Sequence, residues 1–329
     1  MTIKSATRLV LLATFGLLLA RPASSADVAV VACDMDWNTR LYLFSLDGTF
    51  LASSQGPAPN YYTSITAQGG SLYVSDYEGM IEQFNASGHY IGQFADVGAD
   101  LLGSLTGNLD CDSRGNLYVH NMGSHSEPRN AGRYDLASGD LTQTYSHPDL
   151  VFPCGIDADA AGNVYVVNSA AVGVENRVYK FSPDGALLGA FAPDFIDSPA
   201  DLAVDEENEV LFVSDEFGGA NAVHAYSLAD SSFGVHIKTI SVPAVDWAVG
   251  LHYEPLLGHL FITSSSPSPG SSAAYEIDTD GNVIHTYQLP ELTLVLDVVY
   301  VPEPATLSLL ALSGLVAIRR MRKRAPATR

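Results

Sequence analysis

Residues 155–191 read GIDADAAGNVYVVNSAAVGVENRVYKFSPDGALLGAF, from Gly155 to Phe191. Four short strands are legible in them. Ile156–Ala158 alternates into a turn at Asp159–Gly162, Val164–Val167 is wholly apolar, Arg177–Phe181 alternates again, and Ala186–Phe191 returns after the Asp184-Gly185 turn. A four-stranded unit of this kind cannot bury both of its faces alone, so it needs neighbours on either side.

The chain supplies them. The apolar second strand recurs at Leu72–Val74, Leu117–Val119, Val210–Val213 and Leu260–Ile262. The spacing is about 45 to 50 residues, the period of a propeller blade. The outer hairpin recurs as FSLDGTFL from Phe44, FNASGHYIG from Phe84, YDLASGDLT from Tyr134, YSLADSSFG from Tyr226 and YEIDTDGNV from Tyr275. Asp-Gly and Ser-Gly between alternating strands are hairpin turns, because Gly accepts the positive φ they demand.

These hairpins outnumber the complete inner strand pairs by one. Val28–Asp34 supplies an apolar second strand with no first strand before it, and Leu294–Tyr300 supplies a strand with no partner after it. Pairing the two closes a ring and removes the open sheet edges that invite aggregation. The expected fold is all-β: a closed six-bladed β-propeller over 27–301, with a signal peptide before it and a short apolar helix after it.

The units GIDADAAGNVYVVN…NRVYKFSPDGALLGAF and PADLAVDEENEVLFVSDE resemble NHL repeats, and the likeness runs from Asp27 to Val301. It implies the propeller fold and leaves function open, since propellers host enzymes, receptors and scaffolds alike.

Charge narrows the function classes. The 329 residues carry 16 Lys and Arg against 37 Asp and Glu, a formal net charge of −21. Between Asp27 and Val301 the only basic residues are Arg40, Arg114, Arg129, Arg133, Arg177, Lys180 and Lys238. Such a domain repels phosphate backbones, which excludes nucleic acid as a partner. Cys33, Cys111 and Cys154 are an odd set, read as buried thiols.

Both ends carry addresses. Residues 1–26 read as a signal peptide: Lys4 and Arg8, an apolar Leu9–Ala20, and a small-residue site at Ser24-Ser25-Ala26. At the other end, Pro302-Glu303-Pro304 precedes an apolar run, Leu307–Ile318, and then the basic cluster Arg319, Arg320, Arg322, Lys323 and Arg324. The run is about 12 residues, short against the ~20 of a comfortable span, and the arginines resist crossing. Pro-Glu-Pro, apolar helix and basic cluster in that order resemble a PEP-CTERM sorting signal over residues 302–329. That resemblance implies a Gram-negative bacterium that makes extracellular polysaccharide. It also implies transient residence in the inner membrane, processing by an exosortase, and release to the cell surface or matrix. An ordinary C-terminal membrane anchor is the competing reading.

Candidate sites gather at one end of the ring. The second strands end in Asp34, Asp76, Asn121, Asn168, Asp215 and Ser264. Their oxygens suit Ca²⁺, although Asp and Asn at this position of an NHL repeat more often tie down the next loop. Trp37, Tyr77 and Phe217 follow second strands, and Tyr61, Tyr62, Phe152 and Trp247 precede first strands. Aromatic rings stack on sugar faces, and nearby Asp and Asn bind hydroxyls, so the set suits a polysaccharide; the competing reading is that most of these rings wedge between blades. The regucalcin–gluconolactonase propellers hold a central divalent cation through oxygens at the starts of inner strands. Here only Asn108 and Asp201 match, and Cys154 stands where another ligand belongs. His120, His125 and His147 fall in one blade and could share a ligand or a proton-transfer role, but are read as scattered surface histidines. No Gly-x-Ser-x-Gly or His-Glu-x-x-His motif is present. The leading expectation is an exported, non-catalytic binding module for glycan or envelope protein. The alternative is an exported, metal-dependent hydrolase or lyase of the lactonase type.

Overall fold

The computed structural model describes residues 30–34, 40–56, 61–101, 106–122, 129–169, 175–216, 222–265, 272–290 and 294–301, with the backbone alone at 30–32 and 34. The signal peptide, Trp37, His125, Phe217 and the whole tail from Pro302, including its apolar run and Arg319–Arg324, lie outside the described residues. No helix among the described residues is long and apolar enough to cross a membrane.

The protein is an all-β propeller. Among the described residues the strands form six four-stranded antiparallel sheets, each used from the centre outward. Five are sequential. They comprise β4–β7 (Tyr62–Gln68, Ser71–Asp76, Met80–Asn85, Tyr90–Asp96), then β8–β11 (Thr106–Cys111, Asn116–Asn121, Asn130–Asp135, Leu141–Tyr145), then β12–β15 (Pro153–Ala158, Val164–Asn168, Arg177–Phe181, Leu187–Phe191). After them come β16–β19 (Pro199–Asp205, Val210–Asp215, Ala222–Ser227, His236–Ser241) and β20–β23 (Ala248–Glu254, His259–Ser264, Ala273–Ile277, Val283–Gln288). The remaining sheet is composite. Its innermost strand is β24 (Val295–Tyr300), followed by β1 (Val30–Asp34), β2 (Arg40–Phe44) and β3 (Phe50–Gln55). Val30 pairs with Tyr300, Val31 with Val299 and Ala32 with Val298. The innermost strands β24, β4, β8, β12, β16 and β20 neighbour one another in that order, and β20 returns to β24.

Burial follows position along each sheet. The second strands, pressed between two neighbouring sheets, are buried on both faces; every residue of β13 is buried. The outermost strands alternate, as in β11, because one face meets solvent. The core is therefore a set of seams. Between the second and third sequential sheets, Tyr118, Tyr145, Ile156, Val166, Tyr179 and Phe181 pack together. Tyr62 belongs to such a seam. It is buried edge-to-face against Phe84, so it is a core wedge and not part of a surface, a correction to the aromatic set above.

The turns between first and second strands are built alike. Asp112 accepts hydrogen bonds from the Arg114 and Asn116 backbone N–H groups and from the Tyr118 hydroxyl at 2.9 Å. Asp159 does the same for Asn163 and Tyr165. Hydrogen bonds from Asn116, Arg114 and Tyr118 hold the Asp112 carboxyl below its usual range against the opposing effect of burial. Replacing Asp112 by Ala removes all of them from a mostly buried group. The expected loss is about 2–3 kcal/mol in a urea titration. A loss below about 0.5 kcal/mol means the turn holds without its cap.

Candidate functional site

Two layers of side chains line the axis, and strand register sets both. Ile65, Leu109, Ile156, Leu202 and Leu251 each pair with the matching second-strand residue, from Val74 round to Ile262. The residue before each of them, with its counterpart in β24, makes one layer: Ser64, Asn108, Gly155, Asp201, Gly250 and Asp297. The residue after each makes the other: Thr66, Asp110, Asp157, Ala203, His252 and Val299.

These groups tie the seams. Asp201 accepts the Leu251 N–H at 2.8 Å, across Gly250. Asp297 accepts the Ile65 N–H at 3.0 Å and the Ser64 hydroxyl at 2.5 Å, and Ser64 Oγ in turn accepts the Leu109 N–H. Asp157 accepts the Val204 N–H at 2.7 Å, and Asp110 accepts the Thr66 hydroxyl. Thr263 Oγ1 accepts the Gly250 N–H and donates to the Leu296 carbonyl, joining β20 to β24. The axis narrows here to a cavity of about 10 Å³, about the room for one water. Beyond it a vestibule of about 380 Å³ opens, lined by Asp110, Asp112, Asp159, Glu206, Glu207 and Glu254 among others.

Burial pushes the Asp157 and Asp201 carboxyls well above their ordinary range, helped by the neighbouring charges of Asp110 and Asp297 respectively. Burial likewise raises Asp297 to about 7, although three donors oppose the shift. His120 is buried, and its Nε2 accepts the Asn108 N–H; desolvation lowers its pKa to about 3, so it serves as a neutral strut. Among the described residues no group of three His, Cys, Asp or Glu could hold a metal ion. Asp201 is committed to main-chain N–H groups, and Asn108 lies against it.

At the opposite end from the vestibule is the rim. The N–H of the residue after each second strand donates to the carbonyl of the residue before the first strand. These pairs are Tyr77 to Tyr61, Ser169 to Phe152, Glu216 to Ser198 and Ser265 to Trp247. The register therefore brings Tyr61, Tyr77, Phe152 and Trp247 to one face. Tyr61 and Tyr77 meet edge-to-face at 6.1 Å between ring centres. Phe152 is 40 % exposed, with the Arg129 guanidinium 5.9 Å from its ring centre. Trp247 takes a positive φ of 61°, an uncommon backbone conformation for so bulky a residue. Glu216 stands at the same register as Tyr77, and burial followed by the nearby Asp215 charge raises its pKa to about 7.

The polar residues that end the second strands hold these loops. Asn168 Oδ1 accepts the Val151 and Phe152 N–H groups at 2.8 and 2.7 Å. Asp215 accepts the Ser198 N–H, and Asp76 accepts those of Glu78 and Met80. Ser264 Oγ accepts the Asp246 N–H, and the Asn121 amide donates to the Leu101 carbonyl. The side-chain oxygens of Asp76, Asn168, Asp215 and Ser264 are thus turned to backbone N–H groups. The Asp34 side chain lies outside the described residues.

Sequence reasoning missed Asp110, Asp157 and Asp297. The signal was present: each is the lone carboxylate of its inner strand, placed beside a buried apolar residue at Leu109, Ile156 and Val298. Cys33, Cys111 and Cys154 are free thiols, and burial pushes Cys111 and Cys154 upward.

No family model and no curated protein matches the chain. Solved structures do. A protein of unknown function from Bacteroides caccae superposes with a TM-score of 0.62 at 14 % identity, covering 84 % of this chain and 100 % of that one. A chain of a nidogen/laminin complex gives 0.63 at 12 %, covering 83 % and 98 %. A gluconolactonase from Xanthomonas campestris gives 0.56 at 17 %, covering 84 % and 91 %. The likeness is one of fold. It spans a lactonase and a protein of a complex alike, so it does not select a chemistry.

Proposed function

We propose that this chain is an exported, closed six-bladed propeller that binds extracellular polysaccharide through its aromatic rim, without catalysis. The rim carries the reading. Tyr61, Tyr77, Phe152 and Trp247 share one face, and Tyr77 and Phe152 are each about two-fifths exposed. Rings presented this way stack on the apolar faces of sugars, and a rigid two-torsion side chain loses little entropy on binding. The channel supports the same reading, because its carboxylates are already engaged by backbone N–H groups. The leader and the Pro302-Glu303-Pro304 tail support export and sorting by an exosortase-type enzyme, with the apolar run holding the intermediate in the inner membrane.

Titrating soluble exopolysaccharide while following tryptophan fluorescence tests the binding. The chain has two tryptophans, Trp37 and Trp247, so the signal is local. Phe152→Ala is expected to weaken binding by about ten-fold, the ~1–3 kcal/mol carried by one stacked ring. No fluorescence change with any glycan removes the proposal. Hydrolysis or elimination of the glycan, or of a lactone, with a stoichiometric divalent ion bound points instead to the metal-dependent enzyme. Intact-mass analysis of the secreted form tests the sorting signal: a chain ending near Pro302 is expected, and one retaining Arg324 overturns it.

A further inference from the structure

We propose that the vestibule is the membrane-facing pole of the anchored chain, so that only the rim meets a folded partner until the tail is removed. This rests on the export and sorting reading above. Strand direction carries it. Every innermost strand leaves the rim and runs toward the vestibule, since Tyr61, Phe152 and Trp247 stand at the rim just before β4, β12 and β20. β24 is an innermost strand, and its last residue, Tyr300, lines the vestibule. β1 begins opposite that residue, with Val30 paired to Tyr300. The chain therefore enters and leaves the ring at neighbouring points of one pole, and the leader and the tail both attach there.

Length sets the stand-off. Five residues, 302–306, separate Val301 from the apolar run that begins at Leu307. Fully extended, they bridge about 20 Å. The headgroup layer on one side of a bilayer takes about 5–7 Å of that, which leaves ~15 Å in front of the vestibule. The apolar run is shorter than a comfortable span, so lipid draws the linker inward and narrows the gap. A small folded domain is ~30 Å across and does not fit.

The position of the tether keeps the ring from turning over. β24 lies nearest the axis of the ring, so the pull is central. Each four-stranded sheet reaches three strand spacings farther out, ~15 Å at ~4.8 Å apiece. A tilting ring meets the bilayer with its perimeter before the vestibule swings free. Glu206 and Glu207 are exposed at the vestibule mouth. Their charge opposes contact with anionic headgroups, so the pole stands off the surface rather than entering it. The rim, with Tyr77 and Phe152, then points away from the membrane and takes polysaccharide while the chain is still anchored. Removal of the tail is what first opens the vestibule to a partner the size of a domain.

Thiol labelling of the full chain in phosphatidylethanolamine–phosphatidylglycerol vesicles tests this. Glu207→Cys marks the vestibule, and Asp197→Cys marks the rim loop before β16; both positions are exposed, so neither substitution disturbs the core. The probe is a small folded protein carrying one maleimide, and the unsubstituted chain, with its three native thiols, supplies the blank. Relative to the secreted form, anchoring is expected to slow labelling at Glu207→Cys by about ten-fold and at Asp197→Cys by less than about two-fold, since the probe is wider than the gap. Equal slowing at the two positions, slowing at Asp197→Cys alone, or none at Glu207→Cys overturns the proposal. A full chain that does not float with the vesicles overturns the sorting reading itself, and the proposal with it.

Discussion

Replacing Val298 by Asp is expected to cost the protein about 4 kcal/mol or more, enough to leave much of it unfolded without denaturant. Val298 is fully buried, in a seam with Tyr42, Phe44, Phe261 and Tyr287. It lies on β24, opposite Ala32 of β1. Among the described residues that pairing is the only one within a sheet that joins strands distant in the chain, since every other sheet is consecutive. A carboxylate there is buried in an apolar cluster and forces apart two sheets whose contact closes the circle. Once the circle opens, the innermost strands on both sides lose a neighbour, so the damage is not local. Urea unfolding followed by near-ultraviolet circular dichroism measures it. A midpoint within error of the parent means the closing strand is dispensable, and the closed-ring reading fails with it. Val298→Ala, which leaves no buried charge, is expected to lose only about 1–3 kcal/mol.

Gly250→Val is the second large effect, expected at about 3 kcal/mol or more. A Cβ at Gly250 meets the Leu296 carbonyl oxygen at 2.4 Å and Asp297 Cα at 2.7 Å. Both are backbone, so no side chain can swing aside. The substitution pushes β20 off β24 and breaks the Gly250 N–H bond to Thr263. Gly155 makes the same close approach two seams away, with Asp201 Cα 2.7 Å from a built Cβ. Gly92 provides the contrast. Nothing lies within 4 Å of its Cβ position, and its φ is ordinary. Gly92→Ala is expected to be neutral or to stabilise by about 0.5 kcal/mol, by restricting the unfolded chain. Equal effects at Gly250 and Gly92 would falsify the claim that inner-strand glycines set how closely the sheets approach.

The rim shows how far residue order reaches. Tyr61, Tyr77, Phe152 and Trp247 were assignable to one end of the propeller from strand direction alone, because successive sheets repeat the same path. Whether each ring faces solvent was not. Tyr61 and Tyr62 are adjacent and chemically identical, yet Tyr62 turns into the seam against Phe84 while Tyr61 meets Tyr77 at the rim. Alternation along a strand separates neighbours onto opposite faces. Which face is core depends on the neighbouring sheet, which for Tyr62 brings Leu41 and Leu43 from earlier in the chain and Val299 from its far end.

The polar strand ends teach the same lesson from the other side. Asp76, Asn168 and Asp215 suggested either a cation ring or loop ties. Their oxygens accept backbone N–H groups of the loops at that end of the sheet: Asp76 those of the loop it precedes, Asn168 and Asp215 those of the loop that enters their own sheet's first strand, 16 and 17 residues earlier. The composition of such a ring cannot distinguish the two roles; the direction of each side chain can.

By itself, the order of residues determined the strand period, the Asp-Gly and Ser-Gly hairpins and the complementary half-sheets at the two ends. All three are consequences of local propensity and of the requirement to bury both faces of a sheet. Only the tertiary structure decided that Asp110, Asp157, Asp201 and Asp297 would meet. They come from four strands spread over almost 190 residues, and they become neighbours only when the inner strands converge on one axis. Convergence brings their carboxyl groups together around one narrow cavity, where backbone N–H groups of neighbouring inner strands take up the oxygens of Asp157, Asp201 and Asp297.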